Sequence, residues 1–264
     1  MNQYIHPYQV FEKIIISGSY IEHYTYEKGY WVGWPKERVY RSQRARFRPQ
    51  MVQESIREDN VRRTRIKIRR LVNCNQDLVK FMTLTFDSSF PSLNESNPLF
   101  HNFIKRITRL YPAFKYLCVP EFQKDKDHYG NIKPNGGSVH YHLLCNLPFI
   151  ANSELKAIWG HGFVFIRKVN NVDNLGAYVC KYLGKANFDV RYFKRRKFFN
   201  SLNLTKSLII DSVDKVRQII ISLPKTLGIF LEKFFEIEFF TKYLGMCYYK
   251  QYKLADFIKV ADSS

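Results

Sequence analysis

Ser138-Val139-His140-Tyr141-His142-Leu143-Leu144 places two histidines one residue apart in an otherwise apolar run. Strand side chains alternate with period two, so His140 and His142 share one face while Tyr141 takes the other with Leu143. The run predicts a strand over 138–147. Upstream, Lys115 to Phe122 reads as a second strand, and the Asp, Asn, Pro and Gly of 124–137 read as the loop between them. The pair is expected to form a long antiparallel hairpin. A turn near Gly130 and Asn131 sets Glu121 opposite the region of His140 and His142, because directly opposed residues of a ladder share a face.

The flanking sequence supplies the other layers. Phe81-Met82-Thr83-Leu84-Thr85-Phe86 alternates bulky apolar residues with threonine, as a strand does. Pro98 to Leu110 carries Phe100, Phe103, Ile104, Ile107 and Leu110 on one helical stripe. A short helix opens at Ser153 and ends at Gly160, a strand covers Phe163 to Ile166, and Asp173 begins a helix that Gly184 ends. This order predicts an α+β fold, an antiparallel sheet with flanking helices. A basic helix from about Val52 to Leu71 precedes it. Residues 1 to about 35 read as an irregular arm, and helices at 212–222 and 227–244 as a small helical tail. Three segments follow: 1–75, 76–200 and 201–264.

Forty-two Lys and Arg against 23 Asp and Glu leave a formal charge of +19 on 264 residues. That excess favours a polyanionic partner, since each phosphate contact releases condensed counterions. The expected contacts are Arg62, Arg63, Arg65, Lys67, Arg69 and Arg70 on the basic helix, where the bland alternative is a solvated face. A second basic run includes Arg195 and Arg196 among Tyr192, Phe193, Phe198 and Phe199, a mixture suited to single-stranded nucleic acid. The five cysteines are odd in number and widely spaced, so neither a disulfide framework nor a zinc ribbon is expected. The N-terminus lacks the layout of a signal peptide, and charges interrupt the apolar stretch 227–246. The chain is expected to be cytoplasmic, with no membrane partner.

Two imidazoles at this spacing, with Glu121 as third ligand, leave positions open for water and a phosphate oxygen. Mixed imidazole and carboxylate donors suit Mg²⁺ or Mn²⁺. A lone core histidine is usually just a satisfied hydrogen bonder, but a pair on one face is harder to dismiss. Cys145 has the wrong parity to join them. On the helix after Asp173, Tyr178, Lys181 and Tyr182 share a face. A tyrosine of pKa about 10 needs help as a nucleophile. A metal on the phosphate and a lysine beside the developing charge supply it. The bland alternative is that these tyrosines pack in a core. Together the two halves imply phosphodiester chemistry with a tyrosine nucleophile.

His140-Tyr141-His142 resembles the second motif of the HUH endonucleases, and Phe81 to Phe86 resembles the first. Ala177-Tyr178-Val179-Cys180-Lys181-Tyr182 resembles the third, which carries the nucleophile. Val119-Pro120-Glu121-Phe122-Gln123 and Ile158-Trp159-Gly160-His161-Gly162 are similar to replication initiators of rolling-circle plasmids and small single-stranded-DNA phages. The resemblance covers roughly Phe81 to Tyr192. It implies a ferredoxin-like or RRM-like sheet bearing the active site and a nick at a replication origin. Tyr178 becomes linked to the DNA 5′ phosphate, and a 3′-OH primer is released. The partners it implies are single-stranded or origin DNA, with a host helicase and polymerase. Whether Tyr178 acts alone or alternates with Tyr182 stays open. A transposase or relaxase of the same chemistry, or a non-catalytic RRM-like nucleic-acid binder, are the alternatives.

Overall fold

The computed structural model describes residues 7–33, 50–88, 90, 92–126, 129–132, 137–169, 195–212, 214–219 and 231–254, with the backbone alone at 50–58, 231–234 and 254. The named elements are β1 (Tyr8–Ser17), β2 (Tyr20–Val32), α1 (Gln50–Cys74), β3 (Lys80–Leu84), α2 (Leu93–Leu110), β4 (Tyr116–Phe122), β5 (Val139–Cys145), α3 (Asn152–Trp159), β6 (Val164–Lys168), β7 (Phe199–Asn200), β8 (Leu208–Ile210), β9 (Leu231–Thr241) and β10 (Gly245–Leu254). The chain is α+β with two antiparallel five-stranded sheets. It divides into two compact units, 48–205 and 1–47 with 206–264. The basic helix α1 thus belongs with the sheet that follows it, and the first strands share a sheet with the last.

In the unit 48–205 the strand order is β6-β3-β5-β4-β7, which puts the histidine strand in the middle. Its two faces bury different clusters. Tyr141, Leu143 and Cys145 of β5 join Met82, Leu84 and Cys118 beneath Phe100, Phe103 and Ile107 of α2 and Leu155 and Trp159 of α3. Phe100 stacks on Tyr141 with ring centroids 4.4 Å apart, and the Tyr141 hydroxyl donates to Asn97 Oδ1 at 2.8 Å. Burying each of these large side chains contributes on the order of 1.5–3 kcal/mol. On the opposite face Leu144, Phe81, Leu117 and Val119 pack with Ile68, Leu71 and Val72 of α1.

Helix α2 starts five residues before the expected Pro98. Ser92 caps it by accepting the Asn94 N–H, and Pro98 lies inside the helix rather than at its start. Gly160 closes α3 in the left-handed region, as its place in the sequence suggested. Beyond it Gly162 has φ 146°, and a Cβ there would lie 2.5 Å from the Thr85 carbonyl. Only glycine lets the chain entering β6 approach the end of β3 this closely.

The unit 1–47 with 206–264 corrects two expectations. The N-terminal arm is not irregular: β1 and β2 pair through a two-residue turn, Gly18-Ser19, with Gly18 at φ 57°. The helical tail is corrected as well. Residues 214–219 are helical, but the helix expected over 227–244 is replaced within its described part by β9, which pairs with β10. The reason is visible in Phe235-Glu236-Ile237-Glu238-Phe239, a period-two alternation inside an apolar stretch, with aromatics that favour strands. The sheet order is β8-β1-β2-β10-β9. Val216 of the short helix packs against Ile14 and Ile21.

Candidate active site

The β4–β5 ladder sets Glu121 directly opposite His140, and Val119 opposite His142. On its other edge β5 pairs with β3, where Thr83 is the partner of His142. Residues in register share a face, so Glu121, His140, His142 and Thr83 lie together on the face that α1 covers farther along. The hairpin bends where expected, with Gly130 at φ 91° and a bridge between Lys126 and Ile132.

His142 is almost enclosed, its side chain 8% exposed, and Glu121 is 13% exposed. His142 Nε2 and Glu121 Oε2 are 2.8 Å apart, while Thr83 Oγ1 lies 3.1 Å from His142 Nδ1. The Phe81 ring stacks on the imidazole at 5.8 Å with planes 14° apart. These contacts fix the ring from both edges and one side. The His140 and His142 ring centroids are 6.2 Å apart.

Among the described residues no three His, Cys, Asp or Glu side chains form a ready-made metal-ligand cluster. The donor chemistry nevertheless fits a divalent ion. Neighbouring donors on an octahedral ion with bonds of about 2.0–2.1 Å stand ~3 Å apart, close to the Glu121–His142 spacing of 2.8 Å. Two imidazoles on one ion can hold their centroids up to ~6.5 Å apart, which the observed pair respects. Two imidazoles and a carboxylate could hold Mg²⁺ or Mn²⁺ once the direct hydrogen bond opens. The cysteines do not compete. Cys118 and Cys145 lie on the α2/α3 face, and burial pushes the Cys145 thiol up to about 11 and the Cys118 thiol well above its ordinary value.

The other expected site residues divide into two groups. Tyr178, Lys181 and Tyr182, with the helix expected to carry them, lie outside the described residues. On α1, Arg62, Arg63, Arg65 and Lys67 are exposed and Arg69 and Arg70 half-buried. Arg62 is paired with Asp59 at 3.2 Å, one turn earlier. Arg195 and Arg196 are exposed. Their aromatic neighbours do not all face outward. Phe199 is buried against β4, and Phe198 lies under Lys67, whose Nζ is 5.4 Å from the ring centroid.

Thr83 had no assigned role in the sequence, although its position does carry a signal. Thr83 and Thr85 fall at period two on an otherwise apolar strand, which marks one face of β3 as polar.

Residues 79–187 match the model of a family of replication-associated proteins, the ORF2 type, a span that takes in the whole His/Glu arrangement. No curated protein and no solved structure matches the chain significantly.

Proposed function

We propose that this chain, whose segment 79–187 matches a replication-associated family, is a rolling-circle replication initiator that nicks DNA at a replicon origin. The observation that carries the reading is the grouping of Glu121, His140 and His142 on one sheet face, with His142 2.8 Å from Glu121. The net charge of +19 and the exposed basic side of α1 support a DNA partner.

In this reading the Tyr178 hydroxyl attacks the scissile phosphorus. The Tyr178 Oη–P bond forms, the bond from phosphorus to the 3′ oxygen breaks, and the phenolic proton ends on that oxygen. The products are a 5′-phosphotyrosine and a free 3′-OH primer. Glu121, His140 and His142 hold Mg²⁺ or Mn²⁺, which when bound supplies Lewis-acid polarisation of the phosphate. Lys181, three residues from Tyr178, stabilises charge on the phosphate or the phenolate. Tyr182 either resolves the covalent intermediate during termination or packs.

The test is incubation of the protein with single-stranded origin oligonucleotides and Mn²⁺, followed by a denaturing gel. A covalent protein–DNA band that EDTA abolishes is expected. Binding without cleavage under any divalent ion would favour the non-catalytic nucleic-acid-binding alternative.

A further inference from the structure

We infer that Thr83 is a positioning residue whose hydroxyl lets His142 exchange its hydrogen-bonded tautomer for the metal-binding one; the inference rests on the metal reading of the site. The neutral ring donates from Nε2–H to the Glu121 carboxylate at 2.8 Å, which leaves Nδ1 with a lone pair. Thr83 Oγ1–H, 3.1 Å away, donates to that lone pair. Coordination through Nε2 requires the reverse arrangement: Nε2 must give up its proton, and Nδ1 must carry one. The proton lost at Nε2 is matched by one gained at Nδ1, so the ring stays neutral. Nδ1–H then needs an acceptor inside an enclosed slot.

A hydroxyl can serve both states, since it donates one hydrogen and accepts through its lone pairs. Valine, of nearly the same shape, can do neither. The slot leaves the ring little room to turn away, because Phe81 stacks on it at 5.8 Å and the side chain is 8% exposed. Thr83 is also fixed in place: the β3–β5 register sets it directly opposite His142, and β6 pairs with it on the other side at Phe165.

The experiment compares the full chain with Thr83→Val and Thr83→Ser. Mg²⁺ and Mn²⁺ affinities are measured by calorimetry, and the protonated nitrogen of His142 is read from long-range ¹H–¹⁵N spectra with and without Mg²⁺. Thr83→Val is expected to lose about 10- to 100-fold in metal affinity, the usual range for removing a partner behind a metal-bound imidazole. Thr83→Ser should stay within a few-fold of wild type. In wild type, Mg²⁺ should move the ring proton from Nε2 to Nδ1, a readout that needs no variant to fold. Unchanged affinity in Thr83→Val, or a ring proton that stays on Nε2 with Mg²⁺ bound, would overturn the inference while leaving the metal site standing. A wild-type chain that binds neither ion would overturn the metal site and this inference with it.

Discussion

His142 Nε2 meets Glu121 Oε2 across a diagonal of the β4–β5 ladder, because the residue directly opposite Glu121 is His140. The carboxylate is therefore within reach of both imidazoles, in direct register with one and hydrogen-bonded to the other. Loss of either imidazole should remove the metal site while sparing most DNA affinity, which comes from Lys and Arg on phosphate. His140→Ala and His142→Ala are expected to abolish nicking with little change in binding by fluorescence anisotropy. Glu121→Gln keeps a neutral oxygen donor and should weaken metal dependence more mildly. Near wild-type, metal-dependent nicking in either histidine variant would remove the claim.

The exposed side of α1 should contribute affinity that depends on salt and little on sequence. Removing one cation–phosphate pairing flattens the slope of log K against log salt by roughly 0.9 on duplex DNA and roughly 0.7 on single strands. Arg63, Arg65 and Lys67 should each show such an effect on neutralisation. Arg62, already paired with Asp59 at 3.2 Å, should show less. A slope unchanged after all four substitutions would show that this face is only solvated.

His101 offers a reporter near Arg196. Burial, then the charges of Lys105 and Arg196, hold its pKa below the ordinary 6.5. The sign follows from the depressed value: the stability gained by keeping the ring neutral is complete above the unfolded pKa and is lost as pH falls through the folded one. An NMR titration should give a midpoint below 6.5, and Arg196→Gln should raise it. Single-stranded DNA should raise it too where a phosphate neutralises Arg196. A midpoint that ignores both changes would place the DNA elsewhere.

Gly162→Ala should destabilise the unit that carries the site. Any Cβ at that position meets the Thr85 carbonyl at 2.5 Å and the Asp87 nitrogen at 2.6 Å. Relieving such an overlap typically costs about 1–3 kcal/mol. Denaturant unfolding would measure the loss, and an unchanged midpoint would mean that the junction of β3 and β6 yields freely.

The part of this fold that the sequence made legible is the part where period two was clean. His140-Tyr141-His142 and Phe81 to Phe86 each announced two faces, and Glu121 fell opposite His140 once the hairpin was folded about Gly130. The N-terminal hairpin escaped because Tyr and Glu share both faces of β2, although Gly18-Ser19 between apolar runs was a usable turn signal. In β9 a doubled aromatic, Phe239-Phe240, gives apolar residues at helical spacings too, so length and charge suggested a helix. No local pattern could reveal that Ile68, Leu71 and Val72 of α1 cover the histidine face, since that depends on contacts distant in sequence. The Thr83–His142 contact depends likewise on the register of β3 against β5.

The covalent intermediate is the most direct test of the whole reading. Wild-type protein, Tyr178→Phe, Tyr182→Phe and His142→Ala would each be incubated with an origin oligonucleotide and Mn²⁺, and the trapped adduct mapped by peptide mass spectrometry. The expected result is a DNA-linked peptide carrying the phosphate on Tyr178, absent in Tyr178→Phe and His142→Ala and retained in Tyr182→Phe, with all four proteins still binding DNA. An adduct on Tyr182 that persists in Tyr178→Phe would reverse the nucleophile assignment. Cleavage without any covalent adduct, or no cleavage by a wild-type protein that binds the origin, would contradict tyrosine transesterification altogether.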